Sequence, residues 1–239
     1  MQQAKTAQAQ TGKMKAQAGQ AQAAQAQPGK MKAPRSSNPH HAPEPAPDAE
    51  PKARERIIAA ATRLFCQYGI TAVGVDAVVA EAATAKATLY KAFGSKERLV
   101  EAVLEREGAA WRDWFLGELL KGEATPLARL RRIFPVLRAW FGDERFFGCP
   151  FINAVAEHDK RDDRMRQIAL AHKKVVLATL ARLAAEAGAR DPDGAAHQLG
   201  LLIDGAIVAA MITQDENVAL LAGETADLLL ARMTAAEAA

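Results

Sequence analysis

The sequence predicts an all-α protein of about nine helices. From residue 52 onward, apolar side chains recur at three- and four-residue spacing, the period of a helix. Helix starts such as Ser95 and Asp191-Pro192, and glycine stops such as Gly69 and Gly188, punctuate that pattern. No stretch shows the alternation or the β-branched runs of a strand, which leaves the all-α class.

Residues 1–51 are mainly Gln, Ala, Lys, Pro and Gly, and Gly12-Lys13-Met14-Lys15-Ala16 recurs as Gly29-Lys30-Met31-Lys32-Ala33. With almost no Leu, Ile, Val or aromatic residue, there is little to bury against the entropy of folding, so a disordered arm is expected. Two roles fit it: a basic arm adding non-specific DNA affinity, or an extension from an upstream start, with Met14 and Met31 as internal starts.

Ile57, Ile58, Ala61, Leu64, Phe65 and Tyr68 form the apolar face of a first helix that stops at Gly69. A second, over residues 74–83, buries Val75, Val78 and Val79 and has Asp76 in its first turn. Ala83-Thr84-Ala85 then leads into a short basic helix, Lys86 to Phe93, and Ser95 caps a long helix that runs to about Leu120. Helix, tight turn and short helix is helix-turn-helix geometry, whose second helix enters the major groove. Charge supports this. Residues 1–51 carry six basic and three acidic residues, 52–104 eight and five, and 105–239 17 and 20, so the front of the chain suits a polyanion.

Beyond a break at Gly122 and Thr125-Pro126, Leu127, Leu130, Ile133, Phe134, Leu137 and Phe141 form one helix that Pro135 should bend. Cys149-Pro150 opens a short helix ending near His158. Further helices run from Asp162 or Asp163 to Gly188, over about 192–213, and over about 217–235. Nine of the 13 aromatic residues lie between Trp111 and Phe151, which suits either an ordinary core or an apolar pocket. Cys66 and Cys149 form no metal-ligand or disulfide pattern, consistent with a reducing cytoplasm. Cys149 with His158 or His172 lacks a third orienting group, so no enzyme, cofactor or metal site is expected. No apolar run reaches the ~18 residues of a membrane span, and no secretory signal opens the chain.

The residues Arg56-Ile57-Ile58-Ala59-Ala60-Ala61, Leu64-Phe65, Val75-Asp76-Ala77-Val78, Glu81 through Tyr90, and Phe93-Gly94-Ser95-Lys96-Glu97 resemble the DNA-binding domain of the TetR family of bacterial transcriptional regulators. The resemblance covers about fifty residues, and Thr88-Leu89-Tyr90 with Phe93 to Glu97 is its most specific part. It implies a homeodomain-like helix-turn-helix domain over 52–98 and a helical effector-binding and dimerisation domain over 99–239. The partners it implies are a palindromic double-stranded operator, a small-molecule effector, and a second copy bound through the last two helices. The activity implied is that of a cytoplasmic, nucleoid-associated repressor. An effector-independent architectural DNA-binding protein is the alternative. The run Gly148-Cys149-Pro150-Phe151-Ile152-Asn153 and the run Leu201-Leu202-Ile203-Asp204-Gly205-Ala206 are also similar to one subgroup of the family.

Lys86, Lys91 and Lys96 are the charges available to phosphates. Thr88 and Tyr90 offer hydroxyls, and Ala87 is small enough for close approach to the groove, while Leu89 and Phe93 point inward. Spacing alone makes Lys91 and Lys96 a solvated face; the resemblance implies DNA contact for Lys96 and Tyr90. No arginine stands on the exposed recognition face, so modest direct base readout is expected. For the effector pocket, Trp111, Trp114, Phe115, Trp140, Phe147 and Phe151 are the expected walls. Asn153, His158, His172 and Asp204 are its expected polar groups. Two positions depart from the family pattern: Ala83 replaces a turn glycine, and Ala85 a capping serine. The first predicts an altered turn. The long helix after Ser95 is expected to be the only element touching both domains.

Overall fold

The computed structural model describes residues 52–122, 125–159, 161 and 163–234; the arm expected over 1–51 and the end of the last expected helix, Ala235, lie outside them. The described residues form ten helical segments and no strand. They become nine when the two segments meeting at Arg132 are taken as one broken helix.

Helix α1 (Ala53–Tyr68) buries Ile57, Ile58, Ala61 and Phe65 and ends at Gly69, which takes a φ of +87°. Helices α2 (Val75–Glu81) and α3 (Lys86–Phe93) follow, and Leu89, fully buried, pins α3 to the other two. Arg63 pairs with Glu81 at 2.7 Å, and Arg56 Nε donates to the Ala82 carbonyl at 3.3 Å, tying α1 to the end of α2.

The turn between α2 and α3 sets the angle of the recognition helix. Thr84 N–H donates to the Val79 carbonyl at 3.0 Å and Ala83 N–H to that of Ala80 at 3.1 Å. This two-bond helix ending requires a left-handed residue, usually glycine. Ala83 takes it, at φ +47°. Helix α8 (Arg164–Glu186) ends with the same pair of bonds, from Ala189 to Ala184 and Gly188 to Ala185, and there glycine holds the position at φ +85°. The expectation of an altered turn is therefore corrected. The turn keeps the left-handed form and the alanine bears the strain. Ala85, the N-cap of α3, makes no side-chain cap.

Helix α4 (Lys96–Leu120) starts where Ser95 Oγ accepts the Arg98 N–H at 3.2 Å. Its 25 residues reach about 37 Å at 1.5 Å per residue. The single bent helix expected next is two helices, α5 (Pro126–Arg131) and α6 (Ile133–Phe141). Pro135 has no N–H to give the Arg131 carbonyl, so the chain breaks at Arg132 instead of curving. Helices α7 (Pro150–Glu157), α8, α9 (Pro192–Thr213) and α10 (Val218–Thr234) complete the described residues.

Two apolar cores result. One joins α1–α3 to Leu99, Val100, Val103 and Leu104 of α4, and also takes in Phe151 and Ala154 of α7 and Met165 of α8. The other lies among α4 to α6 and α8 to α10. Thus α4 is not the only element touching both parts, as chain order suggested. Glu157 at the end of α7 also accepts the Thr71 N–H of the α1–α2 loop, at 2.8 Å. A second correction concerns α9. Its mean hydropathy over 18 residues is 1.6, enough by length and composition for a membrane span. The run-length reading missed this because Asp204 interrupts the run. That carboxylate pairs with Lys173 of α8.

Substituting Ala83→Gly should raise stability by about 1 kcal/mol by relieving the left-handed alanine. Urea unfolding would show a higher midpoint at unchanged slope; an unchanged or lower midpoint would mean that the turn is unstrained.

Candidate DNA-binding face and effector cavity

Burial of Leu89 turns one face of α3 inward and leaves Lys86, Ala87, Tyr90, Lys91 and Ala92 in solvent, Tyr90 being 44 % exposed. Thr88 and Phe93 are half-buried, and the Phe93 ring lies 5.1 Å from the Arg54 guanidinium. Of the hydroxyl and ammonium groups expected to meet DNA, those of Lys86, Tyr90 and Lys91 share one exposed strip of α3, while Thr88 and Lys96 are half-buried. They differ electrostatically. Lys86 is 2.9 Å from Asp76, and that hydrogen bond and charge hold its ammonium above the usual range. A phosphate must compete with Asp76 for Lys86. Lys91 has no acidic partner among the described residues. Lys96 is half-buried and lies on a small cleft shared with Glu97, Glu157 and His158. Glu97 is held below the usual carboxylate range, chiefly by a hydrogen bond from Ser95, with smaller help from Arg164 and Lys96.

A second cavity, of about 270 Å³, lies between α4, α6, α7, α8 and α9. Trp111, Trp140, Phe151, His172 and Asp204 line it, as expected from the sequence. Five other expected residues do not. Phe115 is wholly buried, stacked on Trp111 at 4.5 Å. Trp114 packs into the core beside it. Phe147 lends its carbonyl to Asn153 Nδ2 at 3.2 Å, so these two brace the loop before α7 instead of forming a wall. His158 faces the small cleft by Lys96. Sequence spacing explains the difference: an aromatic cluster shows that a core is aromatic, and only the rotation of each helix decides which rings reach the void.

The sequence reading missed Glu107, Lys173, His197 and Leu201 among the liners. Glu107 left a signal. It sits on the apolar stripe Val100, Val103, Leu104, Trp111 of α4 and is 5 % exposed. A carboxylate on the buried face of a helix needs partners. Arg106 lies 3.6 Å away and Thr62 Oγ1 of α1 donates to it at 3.4 Å.

Titration behaviour follows burial. Burial, aided by the Arg112 and Lys173 charges, pushes His172 down to about 3, so its imidazole is neutral. Burial pushes the Cys149 thiol up, against the thiolate that a nucleophile needs. It pushes Cys66 up to about 12, with Glu107 adding to the effect.

An exposed hydroxyl- and lysine-bearing helix on a helix-turn-helix, joined to a helical body with an apolar cavity, defines a DNA-binding transcriptional regulator. The sequence profile described as bacterial regulatory proteins, tetR family, matches residues 57–103, and that of the tetracyclin repressor-like C-terminal domain matches 126–225. A TetR-family transcriptional regulator from Streptomyces coelicolor is 30 % identical with a TM-score of 0.71, over 77 % of this chain and 96 % of that one. A TetR transcriptional regulator from Streptomyces avermitilis is 28 % identical with a TM-score of 0.67, over 77 % and 98 %. An HTH-type transcriptional regulator of Lactococcus lactis subsp. lactis is 26 % identical over 170 residues, 69 % of this chain and 86 % of that protein. This chain belongs to the TetR family of bacterial regulatory proteins.

His172 gives an acid-stability prediction. Its folded value lies below the unfolded value of about 6.5, so its contribution is complete above pH 6.5 and is lost as pH falls toward 3. Relative to His172→Phe, the wild-type protein should lose up to about 1.4 kcal/mol per pH unit as pH falls from 6.5 toward 5. Chemical denaturation at several pH values measures this; parallel curves would show that the imidazole ionises freely in the fold.

Proposed function

We propose that this chain is a dimeric repressor acting on a palindromic operator in the bacterial cytoplasm and released when a small molecule fills the cavity. The observation that carries the proposal is the double placement of α7. Its first residues, Pro150 and Phe151, line the cavity, and its last, Glu157, holds the α1–α2 loop of the DNA-binding headpiece. An eight-residue helix is rigid on this scale, so a ligand that moves Phe151 also moves the headpiece. The ligand shifts the equilibrium only by as much as its affinity for the two arrangements differs.

The second copy is argued from α9 and α10. Leu201 and Ile212 of α9 are each 72 % exposed, and Leu221 and Leu228 of α10 are 66 % and 76 % exposed. Leu201, Gly205, Ala209 and Ile212 follow helical spacing along one stripe, with small residues where a facing helix would cross. Only 39 % of the apolar window of α9 is buried within the chain. Burying it against its own copy produces twofold symmetry, which sets two α3 helices on successive major grooves. On the DNA side, Lys91, Tyr90 and Lys96 anchor phosphates and Ala87 allows α3 to approach, with Lys86 engaged once Asp76 is displaced.

Two outcomes follow. The double variant Leu221→Glu and Leu228→Glu should halve the solution mass from twice 25.6 kDa to 25.6 kDa in sedimentation and abolish operator binding. A folded variant that stays dimeric would place the interface elsewhere. Lys91→Ala should weaken binding to an inverted repeat from DNA flanking the gene and lower the salt slope, log K against log salt, by about 2 per dimer. An unchanged slope would remove Lys91 from the interface.

A further inference from the structure

The wall of the cavity carries a hydrogen-bond donor that the protein does not use. His172 Nδ1 lies 2.9 Å from Arg112 Nη1. A guanidinium only donates, so Nδ1 accepts. In the neutral imidazole the proton is then on Nε2, at the opposite edge of the ring. The Nδ1 edge is seated against α4: a Cβ on Gly108 would come within 3.1 Å of His172 Nδ1 and 2.6 Å of Phe151 Cζ. No acceptor for Nε2 is found among the described residues. The Trp111 indole N–H also has no partner among the described residues, but protein atoms cover it and it does not open onto the cavity. The Trp111 ring itself lies on the same wall, 5.6 Å from His172.

The rest of the lining selects against charge. Glu107 is paired with Arg106, and Asp204 with Lys173. An ionised ligand would find no free counter-charge there and would lose its hydration. The remaining surfaces are flat and aromatic: Phe151 stacks on His172 at 4.0 Å and 21°, and Trp140 lies 5.7 Å from Trp111.

We propose that the cavity takes an uncharged, planar fused-ring molecule whose carbonyl oxygen accepts a hydrogen bond from His172 Nε2–H. That oxygen gives the idle donor its acceptor, while the rings lie against Phe151 and Trp140. This rests on reading the cavity as the effector site.

Equilibrium dialysis of the full chain with four probes tests it: coumarin, naphthalene, coumarin-3-carboxylate and N-methylquinolinium. Coumarin should bind best and the two ions should not bind measurably. His172→Phe should weaken coumarin by about threefold to tenfold, the range of a single hydrogen bond. Naphthalene, which has no acceptor, should change by less than about twofold, and His172→Gln should recover part of the coumarin affinity through its amide donor. Circular dichroism checks that the variants fold. Equal losses for coumarin and naphthalene, tighter binding of either ion, or binding of none of the four would overturn the proposal. Operator release is measured separately. Coumarin that binds as described but leaves the DNA complex intact would refute the effector role and leave the ligand class standing.

Discussion

Everything in this molecule turns on the packing of Phe151. Its side chain is 3 % exposed, belongs to the apolar core of the DNA-binding headpiece, and at the same time lines the cavity of the helical body. Gly108 makes that possible, since any side chain there would occupy the position of the Phe151 ring edge. One aromatic ring is thus shared by the headpiece core and the cavity wall. Under the proposed mechanism, a ligand that displaces this ring presses on the headpiece. Close-packed interiors transmit such displacements rather than absorb them.

The polar groups near this contact are arranged by the cost of burial. Glu107 is tolerated on a buried face because Arg106 and Thr62 meet it, and the second of these reaches across from α1. His172 is tolerated because it is neutral and its Nδ1 is occupied by Arg112. The Trp111 indole N–H is left over. A cavity with its charges paired and the His172 donor idle suits the proposed recognition by hydrogen bonding and shape, without Coulombic attraction.

Much of this was legible in the residues. The boundaries of α3, the cap at Ser95, the stop at Gly69 and the starts at Thr125 and Asp191 are local events, settled by side chains within a turn of the helix end. Pro135 predicts a bend and the structure has a break, because one missing N–H does not reveal how far the chain yields. Ala83 predicts a departure in geometry. The fold kept the left-handed turn because the packing of α2 against α1 and α3 outweighs a strain of about 1 kcal/mol. For the cavity, residue type identifies the aromatic region but not which rings face the void, so sequence alone does not separate Phe115 and Trp114 from Trp111 and Trp140.

The sequence by itself determined the all-α class, the helix-turn-helix, the family, and the exposed strip of α3 that carries Lys86, Tyr90 and Lys91. All of these depend on periodicity and capping, which act over a few residues. Tertiary structure alone decided that α7 joins the cavity to the headpiece, that Lys86 is held by Asp76, and that His172, its Nδ1 met by Arg112, lines the cavity beside Trp111. Those facts depend on contacts between residues distant in the chain. Thr71 and Glu157 are 86 positions apart, and Arg112 and His172 are 60 apart. No local pattern encodes the rotation of one packed helix against another.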